Sequence, residues 1–410
     1  MRVLWFEVTV PSSYVNGGAP IGGWQDSLER VMRTIPEVEL IIAFVSEEDT
    51  EVKVIDGVTY VPIFVKWSKH ERLFCRYWDQ YQKKMLPGAL RIVETYHPDL
   101  IHVFGTEWPF GQIASFTEVP VVIHIQGAIV PYNNAGYPPG YSFYDELLPH
   151  VFSPMKLFSI WKTRRDRFNW EAQERRTWKL VNNYMGRTSW DKALSAVMHP
   201  HRSYYHVDEA LRTEFLNASQ TWQDCQDRPL RLMSIGCTTF WKGPDMLLKV
   251  ASILKQLNIT FEWNVAGQMD PDVKMLVEKK CGTTFEECHV TILGFVNADR
   301  LSALLCSSSM YVHTAYIENS PNSVCEAQCL GVPVVATNVG GISSLMAHDE
   351  DGFLVPANDP WQMVYAIITL SEDHERMKRY SENARTRALS RHSDKHIRTQ
   401  IMQCYHSLIS

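Results

Sequence analysis

Two glutamates, Glu318 and Glu326, stand seven residues apart in the segment YIENSPNSVCEAQCLGVPVVAT. An apolar run from Ser309 to His313 reads as a strand ending just before them, and Asn319-Ser320-Pro321-Asn322-Ser323 has the turn, proline and N-cap chemistry of a helix start. One carboxylate is therefore predicted at the helix mouth and the other about a turn inside it. A helix N-terminus offers unpaired backbone N–H groups and the positive end of a dipole. The spacing suits a phosphate lying between two carboxylates that grip hydroxyls, the chemistry of a bound nucleotide sugar.

A second cluster of chemistry follows the apolar run Leu230 to Ile235. In SIGCTTFWKG, Lys242 stands beside Gly243 at a predicted strand-to-helix turn. A diphosphate needs a cation in reach and a backbone that can approach it, and this pair supplies both. Taken alone, Lys242 reads as a solvated surface lysine; its interest comes from the glutamates downstream. Gly267-Gln268 and Gly294-Phe295-Val296 also fall at the carboxyl ends of predicted strands, where doubly wound folds bind ligands. In the first half, the loop from Gly17 to Trp24 carries the pair Gly22-Gly23, which reads as either a flexible turn or a close backbone approach. Glu107 follows the strand at Val103 and is a candidate acceptor ligand. Arg187 is a candidate for the same region or one half of a structural ion pair.

After the helix holding Glu326 come GVPVVATNVGG, a buried strand and a glycine turn, and DEDGFLVP, a second short strand. With these motifs the chain resembles the retaining glycosyltransferases of family 4 (glycosyl transferases group 1), whose C-terminal half carries an E-x7-E signature, a G-x-P strand and a G-F-L-V-P strand. The resemblance runs over nearly the whole length. It implies an α/β chain of the GT-B type, with two Rossmann-like domains facing across a cleft, and no metal or cofactor. It also implies roles at matching positions. Lys242, with Gly236 six residues before it in the same motif, would hold the donor diphosphate, Glu326 the two ribose hydroxyls, and Glu318 the donor sugar near the reacting carbon. Asn322 and Ser323 would present the helix mouth to the leaving phosphate. Gly294 and Phe295 would receive the nucleobase, with Gly267 nearby, and Gly22 and Gly23 would approach the diphosphate and acceptor. Two positions depart from the family pattern. Cys237 stands where an Arg is common, removing one cation. Gln126, in His124-Ile125-Gln126-Gly127, stands where a His touches the donor sugar, and it can hydrogen-bond but cannot donate as an imidazolium.

The elements that must hold these residues read as alternating short apolar runs and longer helix-period segments, the pattern of parallel α/β units. Strands are predicted at Arg2 to Val10, Val38 to Phe44, Leu100 to Phe104 and Val119 to Ile125, with a hairpin from Val52 to Ile63 turning on Asp56-Gly57. The second half adds Leu230 to Ile235, Phe261 to Val265, Val290 to Leu293, Met310 to His313, Val332 to Ala336 and Phe353 to Val355. The polar, aperiodic stretch 217–229 reads as a linker. It divides a first, acceptor-side domain (1–216) from a nucleotide-sugar domain (230–391), and by the resemblance the segment 392–410 returns to the first domain. With 410 residues and 45% apolar content, two domains are the natural expectation.

A formal charge of −6 argues against a nucleic-acid partner. Nine Cys without a C-x-x-C pair favour reduced thiols over disulfides or zinc. The first ten residues are too short and too interrupted by Glu7 to read as a signal peptide, so a cytoplasmic location is expected. Asp270-Pro271-Asp272 has the spacing of a metal-binding triplet, but it also has ordinary helix-start chemistry, and the structural reading is preferred. His199, His201 and His206 show no ligand spacing. Between Pro154 and Lys179, eight basic residues outnumber three acidic ones and alternate with Leu157, Trp161 and Phe168. That pattern predicts peripheral contact with an anionic membrane at its inner face. The expected function is transfer of a sugar from a nucleotide-sugar donor to a saccharide or lipid-linked acceptor in surface polysaccharide or glycolipid synthesis. Its rivals are a catalytically weak nucleotide-sugar-binding protein, motivated by Cys237 and Gln126, and a phosphorylase or epimerase on the same fold.

Overall fold

A computed structural model of the chain describes residues 1–15, 23–74, 77–224 and 229–410. Contacts divide it into two units: Met1–Asn133 with Trp161–Ala210 and Ser393–Ser410, and Asn134–Ile160 with Leu211–His392.

The first unit is built on strands β1 (Arg2–Glu7), β2 (Glu39–Ser46), β3 (Lys53–Ile55), β4 (Val58–Phe64), β5 (Leu100–Phe104), β6 (Val121–His124), β7 (Asn183–Gly186) and β8 (Ser203–His206). Their order is β3-β4-β2-β1-β5-β6-β7-β8, and every pairing is parallel except the β3–β4 hairpin. That hairpin turns on Asp56 and Gly57, both at positive φ. Runs such as VLWF and LIHV are buried at every position, His102 included, because this sheet is covered on both faces. Side chains alternate between the faces. Leu4, Phe6, Ile101 and Val103 pack with Met85, Leu86 and Trp178, while Val3, Trp5, Leu100 and Phe104 pack with Leu28 and with Ile397, Ile401 and Tyr405 of the last helix. Trp67 packs at the edge of the first of these clusters.

The second unit carries β9 (Leu230–Ile235), β10 (Phe261–Ala266), β11 (Val290–Gly294), β12 (Met310–His313), β13 (Val334–Thr337) and β14 (Phe353–Val355). All pair in parallel, in the order β11-β10-β9-β12-β13-β14. In each sheet the strand order reverses once, between β1 and β5 and between β9 and β12. Such switch points open a crevice at the carboxyl ends of the strands, where ligands of this architecture bind.

Several segments differ from their sequence reading; β1 ends at Glu7 rather than Val10, and β6 runs from Val121 to His124 rather than Val119 to Ile125. β13 begins at Val334 rather than Val332, because Val332 N–H donates to Ala327 O at the end of the preceding helix and Pro333 has no N–H to offer a ladder. The stretch 217–229 contains Trp222, which is buried in the second unit; its backbone N–H donates to Leu330 O at 2.9 Å and its indole to Ser308 O at 2.9 Å. Residues 134–160 group with the second unit because Tyr137 and Tyr141 pack on Phe240, Asp145 pairs with Lys280 and Lys156 with Asp272. The helix Pro154–Leu180 thus starts among second-unit residues and continues among first-unit residues.

Candidate functional site

In the second unit the turns after β9, β10 and β11 are stitched together at their glycines. Gly236 N–H donates to Ala266 O at 2.9 Å, and Gly267 N–H to Gly294 O at 2.8 Å. Phe295, directly after Gly294, is 77% exposed, an aromatic face at the strand ends. Beyond Gly236 the chain makes a short turn, Phe240–Lys242, closed by Gly243 in the left-handed region (φ 72°). A side chain at Gly243 would collide with the carbonyl oxygen of Thr314, so only glycine lets this turn lie against the segment after β12. Two hydrogen bonds fasten it there: Tyr316 N–H to Trp241 O at 2.7 Å and Thr314 Oγ1 to Lys242 O at 3.1 Å.

This fastening aims Lys242 at Glu318. Lys242 Nζ donates to Glu318 Oε1 in a close ion pair, with the Lys242 side chain partly exposed and Glu318 buried. Gly340 lies beneath the Glu318 backbone, where any Cβ would meet the Glu318 carbonyl, and Gly341 N–H donates to that carbonyl at 3.0 Å. Behind the pair stands His313, the last residue of β12, its Nε2 3.6 Å from Glu318 Oε1. Burial pushes the His313 pKa down to about 4 against the pull of Glu318, so the ring is neutral. Cys237 is buried, and burial raises its thiol to about 12. The position therefore carries no charge, and the cation facing Glu318 is Lys242.

The helix Asn322–Cys329 has Pro321 at its N-cap, so Asn322 and Ser323 form its first turn instead of capping it. Glu326 is the fifth helical residue and is held by a partner that no motif announced. Arg212 Nε and Nη2 donate to Glu326 Oε1 and Oε2, each at 2.8 Å. Burial raises the Glu326 pKa and Arg212 opposes the rise.

The first-unit candidates gather at the carboxyl ends of β5, β6 and β7. Gly23 is the N-cap of the helix Trp24–Met32, and Gly22 lies outside the described residues. Arg187 is buried; its Nη2 donates to Gln126 O at 2.8 Å and its guanidinium lies 4.7 Å from the centre of the Trp24 ring. Its own N–H donates to Asp191 Oδ2 at 2.8 Å. A side chain at Gly127 would come within 3.4 Å of Glu107 Oε1, which places Glu107 beside the turn that holds Gln126. Burial raises the Glu107 pKa to about 8, with Glu174 adding to the rise and Arg187 opposing it, so this carboxyl is protonated at neutral pH. Glu174 accepts from Thr106 Oγ1 at 2.6 Å and from Ile129 and Val130 N–H at 2.9 and 3.0 Å.

Arg212, His313 and Glu174 are the residues that sequence reasoning missed. Arg212 sits in an aperiodic segment 114 residues from its partner. His313 read as one more strand residue, and Glu174 as one acid in a basic stretch. Asp270 is a helix N-cap, accepting from Asp272 N–H at 2.9 Å and Val273 N–H at 3.2 Å. The buried His124 packs its ring 4.7 Å from that of Trp24.

Residues 224–387 match the family model described as Glycosyl transferases group 1. Among curated proteins, the amylovoran biosynthesis glycosyltransferase AmsK of Erwinia amylovora is 26% identical over 156 residues, which cover 37% of this chain and 38% of AmsK. A D-inositol 3-phosphate glycosyltransferase of Pseudarthrobacter chlorophenolicus is 30% identical over 134 residues, covering 32% of each chain. The matches thus span well under half the length of these relatives. Among solved structures, the sucrose-phosphate synthase of Thermosynechococcus elongatus aligns over 99% of this chain and 98% of its own with a TM-score of 0.74 at 16% identity. HepE of Anabaena, solved in complex with UDP and glucose, aligns over 100% of both chains with a TM-score of 0.65 at 17% identity. At such identities the likeness is one of fold. Both units have the parallel-sheet α/β build of the GT-B glycosyltransferases, and residues 224–387 are a Glycosyl transferases group 1 domain.

Proposed function

We propose that the chain is a retaining glycosyltransferase that moves a sugar from a nucleotide-diphosphate sugar to a hydroxyl acceptor without a metal ion, in the synthesis of a surface polysaccharide or glycolipid. The observation that carries this reading is the Lys242–Glu318 ion pair at the switch point between β9 and β12, with the buried carboxylate of Glu326 about a turn inside the helix that follows Glu318. As the bond to the diphosphate breaks, the sugar gains oxocarbenium character and negative charge collects on the leaving phosphate. Lys242 and the first turn at Asn322 and Ser323 are preorganised to meet that charge. Glu318, relieved of part of its pairing when Lys242 turns to phosphate, is free to accept from a sugar hydroxyl. In this reading Gln126 hydrogen-bonds the donor sugar, and Glu107, protonated beside Arg187, hydrogen-bonds an acceptor hydroxyl. HepE's complex with UDP and glucose and the amylovoran role in AmsK's name support the donor class and product class.

The test is incubation with UDP-, GDP- and ADP-sugars and a panel of saccharide and lipid-linked acceptors, with and without chelator, reading the anomeric configuration of product by NMR. Retention that persists in chelator is expected, and an inverted product or a strict metal requirement overturns those parts of the proposal. Tight nucleotide binding without turnover of any donor favours the weak-binder reading that Cys237 and Gln126 suggest.

The proposal includes peripheral contact with an anionic membrane through 154–179. In support, Trp161 and Phe168 are exposed, with Arg165 and Arg164 stacked on their rings, and Phe152 (98% exposed) and Met155 (86%) are exposed as well. The segment is narrower as a surface than its sequence suggests. Gln173, Glu174, Thr177 and Trp178 are buried, while Lys156, Lys162, Arg165 and Arg175 pair with acids. Salt-sensitive sedimentation with anionic vesicles, lost on replacing Arg164, Arg165 and Arg167 with Glu, is the expected result. Absence of vesicle binding at low salt removes this contact.

A further inference from the structure

Glu326 is only 3% exposed in its side chain, so water cannot stabilise its charge; an ion pair must. Arg212 provides it in fork geometry, one N–H to each carboxylate oxygen at 2.8 Å. The fork is itself fixed, because the guanidinium lies 4.7 Å from the centre of the Phe215 ring and Phe215 is fully buried. An ionised carboxylate has about four lone-pair sites. Arg212 takes one on each oxygen, which leaves one on each for further donors. Two acceptor sites, one per oxygen in a fixed plane, match the two O–H donors of a vicinal diol.

We propose that Arg212 is the positioning residue of the ribose subsite, fixing the plane of Glu326 so that both its oxygens accept from the 2′- and 3′-hydroxyls of the nucleotide. This rests on the reading above in which Glu326 takes the ribose. Arg212 does not touch the nucleotide and acts through Glu326. Without it, burial acts on the carboxyl unopposed by the guanidinium and favours its neutral form, and the plane is left free to turn. A Lys in its place keeps the charge as a point and loses the fork.

The experiment measures binding of UDP, GDP and ADP and their 2′-deoxy counterparts to the native chain, Arg212→Met and Arg212→Lys, with inorganic pyrophosphate as a ribose-free probe. The native chain is expected to prefer its ribonucleotide over the deoxy form by about tenfold or more, the scale of one hydrogen bond to a charged group. Arg212→Met should bring that ratio to within about twofold while pyrophosphate affinity is unchanged, and Arg212→Lys should fall between. A folded Arg212→Met protein that keeps the native ratio overturns the proposal; should that variant not fold, a native ratio in Arg212→Lys does so. A native chain that binds no nucleotide, or binds both forms equally, refutes the ribose reading of Glu326 itself, a separate failure.

Discussion

Lys242 and Glu318 neutralise each other across two loops, so a substitution at either one bears on charge as well as contact. If Lys242 stabilises the leaving diphosphate, Lys242→Ala lowers turnover by roughly 10² or more, the loss expected for one preorganised electrostatic donor. Near-normal turnover would remove the assignment. The two glutamates separate by ligand part. Glu326→Ala is expected to weaken the nucleoside diphosphate by about 1–3 kcal/mol, whereas Glu318→Ala spares nucleotide binding and impairs transfer, as titration calorimetry and steady-state rates would show. Glu107 supplies a pH signature. Its folded pKa of about 8 lies above the ordinary 4.5, so the folded chain binds more protons than the unfolded one between those values. The stability from this group is present in full below about pH 4.5 and is lost as pH rises through about 8. Urea unfolding of Glu107→Gln beside the native chain should show the variant gaining more than about 1 kcal/mol in relative stability between about pH 5 and pH 8.5. Parallel curves would mean that Glu107 is already ionised at neutral pH. Lys242 and the glutamates were visible in sequence because turn chemistry fixes them locally. Arg212 was not, because an ion pair between residues 114 positions apart leaves no local pattern.

Elements were most legible where one period dominates. β5, β9, β12 and β14 have the ends that alternation and flanking turns suggest, and the β3–β4 hairpin turns where Asp56-Gly57 requires. The late start of β13 was set by a hydrogen bond to the preceding helix, which composition does not display. The last helix, Asp394–Ile409, is held to the first sheet by a polar link as well as by packing: Trp5 Nε1 donates to Tyr405 Oη at 3.0 Å, and Tyr405 Oη lies 2.7 Å from His102 Nδ1. Burial depresses the His102 pKa to about 3, so the ring is neutral and its Nδ1 shares a hydrogen bond with the tyrosine hydroxyl. Tyr405→Phe keeps the shape but leaves the indole N–H and the imidazole nitrogen buried without this partner. Such orphaned groups cost about 1–3 kcal/mol, measurable in denaturant unfolding followed by tryptophan fluorescence. A loss below about 0.5 kcal/mol would show that packing alone seats the helix.

At the scale of the whole chain, the first unit is assembled from three separate stretches, of which Ser393–Ser410 follows the entire second unit in sequence. Which stretches group together is decided by tertiary contacts that no window of sequence contains, as the membership of 134–160 through Tyr137, Tyr141 and Asp145 also illustrates. The consequence is a dependence of one unit's stability on the far end of the chain. Ile397, Ile401, Met402, Cys404 and Tyr405 are all buried against the first sheet. Each large apolar side chain buried this way contributes up to about 1.5–3 kcal/mol, while a domain's net stability is only about 5–15 kcal/mol. Removing 393–410 therefore takes away a share comparable to the whole margin of the first unit and none of the second sheet's own core. Calorimetry of a chain ending at residue 392 should show the first unit's transition lost or strongly lowered, with the second unit's transition kept. Hydrogen exchange should show β1 and β5 unprotected while β9 and β12 remain protected. Equal loss of protection in both sheets would mean that the two units unfold as one cooperative body, and unchanged protection in β1 and β5 would mean that the last helix adds little to the sheet it covers.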